Sequence, residues 1–257
     1  MAWQVPARHN VKLQQLIERV NADAELIQLW KCSNVNAVDR AGMNDHGEVH
    51  IRIVANAALR LLRLLIEAGV QPGAVTNHGL SAEDAEVIVV LAACLHDIGI
   101  AVHREDHERY SVMLGYPKAR QLLAGIYDEP ALTAIAAEAM HAIIAHQWDV
   151  HCLTIEAGAV KVADALDMTE GRSRIPFEAG QVNIHSVSAM AIDAVKIEKG
   201  EDRPVRIVVS LSNSAGIFQV DELLKRKLKN STLAPYVQVE ARIEGETERR
   251  LFDIYKL

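Results

Sequence analysis

The chain has 257 residues, half of them hydrophobic, which is enough to bury a sizeable core in one large domain or a domain with a smaller appendage. A formal net charge of −7, with no stripe of lysine and arginine and only 4% aromatic residues, argues against gripping a nucleic-acid polymer or stacking single strands. Three cysteines, Cys32, Cys94 and Cys152, stand far apart with no CxxC pair, so neither a disulfide framework nor a cysteine zinc knuckle is expected. The N-terminus lacks the basic start and apolar block of a signal peptide, and no apolar run is long enough to span a bilayer, so a cytoplasmic protein without membrane contact is expected.

In chain order, Val11 to Trp30 carries apolar residues at helical spacing through Leu13, Leu16, Ile17, Val20, Ala24 and Ile27. Glu48 to Ala68 repeats the pattern and stops at Gly69 and Pro72-Gly73. Ser81 with Asp84 three places on is a capping box that opens a helix apolar on every side, Val87 to Leu95. Further helices are predicted at about 106–124, 130–147 and 154–169. After Gly171 the period changes to alternation at 182–189, 195–200, 205–212 and 237–243, with one amphipathic helix at 220–228 before the last of these segments. The expected fold is therefore α+β: a helical domain over residues 1–175, then a small antiparallel sheet with one helix over 176–257. Alternating apolar positions such as Val205, Ile207, Val209 and Leu211 leave that sheet in need of cover, for which a homodimer is the economical expectation.

Most of the eleven histidines fall within the helical part. His50, the adjacent His96-Asp97 and Asp164 all sit beside strongly apolar helical stretches, so their side chains should point inward. An unpaired buried carboxylate costs on the order of several kcal/mol, and a divalent cation is one partner that offsets it. Histidine gives one nitrogen to one metal, whereas a carboxylate has two oxygens and can bridge two ions. Consecutive helix positions diverge, so His96 and Asp97 reach one ion only where their helix is ending, and Gly99 allows such an ending.

The order H … HD … D, with HDIG at His96, Asp97, Ile98 and Gly99, resembles the HD superfamily of metal-dependent phosphohydrolases. The resemblance covers roughly Asp45 to Asp167. It implies a helical fold in which His50, His96, Asp97 and Asp164 bind a metal that activates water for attack on a phosphoester. Binuclear members add further histidines: His107 in HERYSVML is similar to the family's HxxxGxxxL helix start, with Ser111 near the glycine position, and His146 resembles the first half of its histidine pair. Gln147 stands where the second histidine would be, and His141 is a possible substitute. A tripeptide GYP at Gly115-Tyr116-Pro117 precedes His141 and lacks the context of the HD-GYP phosphodiesterases, so it is set aside as accidental.

The site expected from this likeness takes His50, His96, Asp97, His107, His141, His146 and Asp164 as metal ligands, for one or two divalent ions of manganese, iron, zinc, cobalt or nickel. Asp97 and Lys161, the latter one helical turn before Asp164, are the catalytic candidates. Arg172 and Arg174 are candidate clamps for a phosphate, although salt bridges across the domain boundary would use them equally well. The expected substrate is a small phosphoester such as a nucleotide or cyclic nucleotide. Two other readings stand beside it: a non-catalytic module that keeps the pocket to sense a nucleotide, and a di-iron oxygenase on a related helical fold.

Overall fold

In the computed structural model the described residues are 3–168 and 188–243. The helical part runs α1 (Val11–Ala22), α2 (Ala24–Asn34), a π-helical turn (Val35–Arg40), α3 (Glu48–Glu67), α4 (Gly73–His78), α5 (Ala82–Leu95), a 3-10 turn (Ile98–Ala101), α6 (His107–Leu123), α7 (Ala131–Ala145) and α8 (Ile155–Leu166). Then follow β1 (Ile192–Lys199), β2 (Val205–Leu211), a π-helical turn (Gln219–Leu224) leading into α9 (Lys225–Lys229), and β3 (Val237–Ile243). No helix among the described residues is long and apolar enough to cross a membrane.

The axis of the fold is α5. From Ala85 to Leu95 only Glu86 escapes full burial, so this helix has no solvent face, and α1, α3, α7 and α8 surround it. Its start is the expected capping box: Ser81 Oγ accepts from Asp84 N at 3.2 Å and Asp84 Oδ2 accepts from Ser81 N at 2.9 Å. Asp84 also accepts from Lys12 at 2.8 Å and from the Tyr127 hydroxyl at 2.7 Å, tying α1 and the end of α6 to the same carboxylate.

The segment expected as one helix over Val11 to Trp30 is two. Asp23 takes an extended conformation (φ −86, ψ 95) and its side chain accepts from Leu26 N at 2.9 Å, capping α2. Apolar spacing continues in register across the break, so periodicity alone misses a residue whose carboxylate competes for backbone N–H groups.

The sheet has three described strands in the order β1-β2-β3. The first pair is antiparallel, joined through Gly200 to Pro204 as expected. The second pair is parallel, so the sheet is mixed where an antiparallel one was expected. The cause is the helix between β2 and β3: a chain that crosses over through a helix re-enters the sheet in its original direction. Of the expected strand at 182–189, residues 182–187 lie outside the described residues, and Ser188 and Ala189 are helical. Cover for the sheet comes from within the chain, because Val205, Ile207, Val209, Leu211, Leu224 and Leu233 belong to the same buried cluster as α3, α5 and α8. The two expected domains thus share one core.

Candidate metal centre

Five helix ends bring the site together. His50 lies in the first turn of α3, whose start is held by Asp45: Oδ1 accepts from the N–H groups of Gly47 and His50, each at 3.3 Å. A carboxylate at the first turn also complements the helix dipole, as expected for Asp45.

His96 and Asp97 follow the last residue of α5, where the helix unwinds into the 3-10 turn; Asp97 itself has φ −110 and ψ 4. That unwinding lets adjacent side chains converge. The carbonyls freed at such a terminus need donors when the end is buried, and they have them. Trp30 Nε1 donates to Cys94 O at 2.8 Å, Ser33 Oγ to Asp97 O at 3.0 Å and Asn36 Nδ2 to Ile100 O at 2.7 Å.

Gly99 is needed for a reason other than chain reversal. Its φ is not positive; a Cβ there would stand 2.1 Å from His107 O and 2.4 Å from Ser111 N. The glycine lets the first turn of α6 lie directly on the HD turn, where Gly99 N donates to Ser111 Oγ at 2.8 Å. His107, first residue of α6, is placed by that contact, and His146 stands just past the end of α7.

Asp97 is the hinge of the arrangement. Its Oδ2 lies 3.2 Å from Nε2 of His50 and 3.2 Å from Nε2 of His96, while its Oδ1 lies 3.2 Å from Nε2 of His107 and 3.8 Å from Nε2 of His146. Oδ1 of Asp164, on α8, lies 3.3 Å from Nε2 of His50 and 3.8 Å from that of His96. The ligand atoms of His50, His96 and Asp97 fall within 4.8 Å of one another, and so do those of Asp97, His107 and His146. One carboxylate therefore serves two donor groups, one with each oxygen.

The outer nitrogens of three histidines are committed. Nδ1 of His50 donates to Asp167 Oδ2 at 2.7 Å, that of His96 to Ala93 O at 2.9 Å and that of His146 to Ile143 O at 2.5 Å. With Nδ1 carrying the proton, each Nε2 presents a lone pair inward. The Nε2 atoms of His50 and His96 face each other at 3.2 Å beside two carboxylates, an arrangement of acceptors that calls for a cation. At His107, Nδ1 lies 2.7 Å from Nη1 of Arg104 and 3.1 Å from Arg104 O, so donation from the guanidinium leaves the proton on Nε2, and donation to the carbonyl frees Nε2 as a ligand. The donor set suits a divalent transition metal.

Electrostatics point the same way. Burial alone would raise the pKa of Asp97, but His96, His107 and His50 hold it well below the usual carboxylate range. Burial alone would lower that of His96, yet the charges of Asp97 and Asp164 push it up to about 10. Burial and the neighbouring His96 push His146 down, keeping it neutral and able to ligate.

Of the residues singled out in the sequence, the fold brings together His50, His96, Asp97, Asp164, His107 and His146. His141 stands apart: its Nε2 accepts from Leu153 N at 3.1 Å, so it does not fill the place left by Gln147. Lys161 is fully buried, but its ammonium donates to the carbonyls of Gln147 (2.9 Å) and Val150. It holds the loop after His146 and has no contact with the cluster, because residues one turn apart on a helix still diverge when one reaches down to a neighbouring loop. Arg172 and Arg174 lie outside the described residues.

Two residues of the site escaped the sequence reading. Asp167, the partner of His50, is one turn past Asp164 in ADALD, and its helical spacing was a usable signal. Lys227 of α9 pairs with Oδ2 of Asp164 from 63 positions away, and nothing in the sequence distinguishes it from its basic neighbours.

Residues 48–169 match the family model described as HD domain. A protein of Methanocaldococcus jannaschii, named only as uncharacterized protein MJ1020, is 46% identical over 216 residues, covering 84% of this chain and 83% of its own. No solved structure matches.

Proposed function

The chain belongs to the HD domain family, within the superfamily of metal-dependent phosphohydrolases, and from that premise we propose that it hydrolyses a small phosphoester. The observation that carries the reading is Asp97 with one oxygen toward His50 and His96 and the other toward His107 and His146. His50, His96, Asp97 and Asp164 would hold one divalent ion, and Asp97, His107 and His146 a second. Such an ion, when bound, lowers the pKa of a coordinated water towards neutrality and polarises a phosphoryl oxygen.

The chain's own residues do the rest. Asp167 keeps His50 in the tautomer that ligates, and the carbonyls of Ala93 and Ile143 do so for His96 and His146. Burial of His96, Asp97, His107 and His146 to 4% exposure or less keeps bulk water from screening charge at the reacting phosphorus. A nucleotide or cyclic nucleotide is the substrate class we favour.

The test is metal analysis of the purified protein together with a panel of phosphomonoesters, phosphodiesters and nucleotides assayed with manganese, iron, zinc, cobalt and nickel. Turnover of one class, abolished by Asp97→Ala, is expected. A metallated protein inert to the whole panel would instead support the nucleotide-sensing reading, and iron content with oxygen uptake the oxygenase reading.

A further inference from the structure

The C-terminal part of the chain reaches into the metal centre at one point. Asp164 divides its carboxylate: Oδ1 faces His50 and His96, and Oδ2 is paired with the ammonium of Lys227. Lys227 is held there by its surroundings. Asn230 Nδ2 donates to Trp148 O at 3.0 Å, Cys152 N donates to Asn230 O at 3.0 Å, and Thr232 Oγ1 donates to Thr154 O at 2.8 Å, clasping the end of α9 to the loop between α7 and α8. Gly158 on α8 makes the approach possible, since a Cβ there would lie 2.3 Å from Leu233 Cδ1.

The neighbours of Lys227 are employed differently. Lys225 pairs with Asp221 at 2.5 Å and Arg226 with Glu222 at 3.2 Å, each with a partner four residues earlier in the π-helical turn that leads into α9, and each largely exposed. Lys227 alone of these three pairs with a residue of the metal centre, and its side chain is only 16% exposed.

Charge at the centre then has a definite balance. Asp97, Asp164 and Asp167 with Lys227 and neutral imidazoles sum to −2; Arg104 and Glu108, both at the outer nitrogen of His107, cancel. One divalent ion brings the sum to 0 and two bring it to +2. Where a cation shares the charge of Asp164, the half-enclosed ammonium loses part of its counter-charge, and an anionic oxygen arriving at the centre restores it.

We propose that Lys227 is a substrate-binding residue, whose ammonium takes a phosphoryl oxygen of the phosphoester bound at the metal centre. The proposal rests on the phosphohydrolase reading of that centre. It makes the segment beyond the HD domain part of the substrate site.

Inorganic phosphate is the probe, titrated by calorimetry into the full-length manganese-loaded protein, with metal content and thermal unfolding measured on the same samples. Lys227→Met should weaken phosphate binding at least tenfold with metal content and unfolding temperature retained; Lys227→Arg should restore most of it. Lys225→Ala, which removes an equal charge from the same helix, should leave the affinity within twofold. Wild-type affinity in Lys227→Met overturns the proposal and leaves the hydrolase reading standing. Loss of metal from both Lys227→Met and Lys227→Arg also overturns it, assigning Lys227 to the positioning of Asp164. A wild-type protein that holds metal but binds no phosphate overturns both.

Discussion

Nδ1 of His50 donates to Oδ2 of Asp167 at 2.7 Å, joining the first turn of α3 to the residue that ends α8. This bond sets which nitrogen of His50 faces Asp97 and Asp164 and fixes the ring plane, so Asp167 belongs to the site through His50. Partners of this kind are worth about 10–100-fold in metal affinity when removed. Asp167→Ala is expected to lose metal affinity in that range while remaining folded, and Asp167→Asn, which keeps an acceptor oxygen, to lose less. Manganese titration of the metal-free protein measures both, and unchanged affinity in Asp167→Ala would dispose of the role.

The two faces of Asp97 predict a stepwise loss of metal. His107→Ala and His146→Ala should each reduce the content from two ions per chain towards one, and Asp97→Ala should remove both. His141→Ala should retain both, because His141 accepts the Leu153 N–H and has no contact with the cluster. Elemental analysis of the four variants decides the matter without a known substrate. A stoichiometry of one ion in the wild type would reduce the centre to a mononuclear site.

Gly99→Ala tests the contact between the HD turn and α6. The added methyl would stand 2.1 Å from His107 O and 2.4 Å from Ser111 N, which no side-chain rotation relieves. Overpacking of this kind costs about 1–3 kcal/mol, and more where backbone must move. Thermal unfolding should register that loss, and the displacement of His107 should weaken the second ion before the first. A variant as stable as the wild type would show that α6 yields without cost.

Asp84 gives the fold a dependence on pH remote from the metal. Burial alone would raise its pKa, but Lys12, the Ser81 N–H and the Tyr127 hydroxyl outweigh burial and hold it below its ordinary value of 3.8. A carboxylate depressed on folding contributes stability that is present in full above its unfolded pKa and is lost as pH falls through the folded one. Asp84→Asn should therefore be less stable than the wild type at pH 7, with the difference shrinking once the pH drops below about 4, the unfolded carboxylate range. Urea unfolding of both proteins at pH 7, 5 and 3 measures it; a constant difference across that range would show that the carboxylate's charge plays no part.

The sequence by itself determined the helices with strong apolar periodicity, the capping box at Ser81 and Asp84, and the inward placement of His50, His96, Asp97 and Asp164. These are local signals. Period, cap chemistry and the oddity of a titratable pair ending an apolar helix are written within a few residues of one another. His107 and His146 were legible through the family's spacing. The tertiary structure decided what depends on where distant segments meet. It divided Val11–Trp30 at Asp23, because a carboxylate that caps the next helix leaves apolar spacing undisturbed. It turned β3 parallel to β2, since strand direction follows from the route of the crossover helix and not from alternation. It gave Gly99 its role as a point of helix contact, and took Lys161 and His141 out of the cluster, because a helical face says which way a side chain leaves and not what it meets. Above all it brought Lys227 onto Asp164 from 63 positions away, a pairing encoded by the packing of α9 on α8 and by no motif.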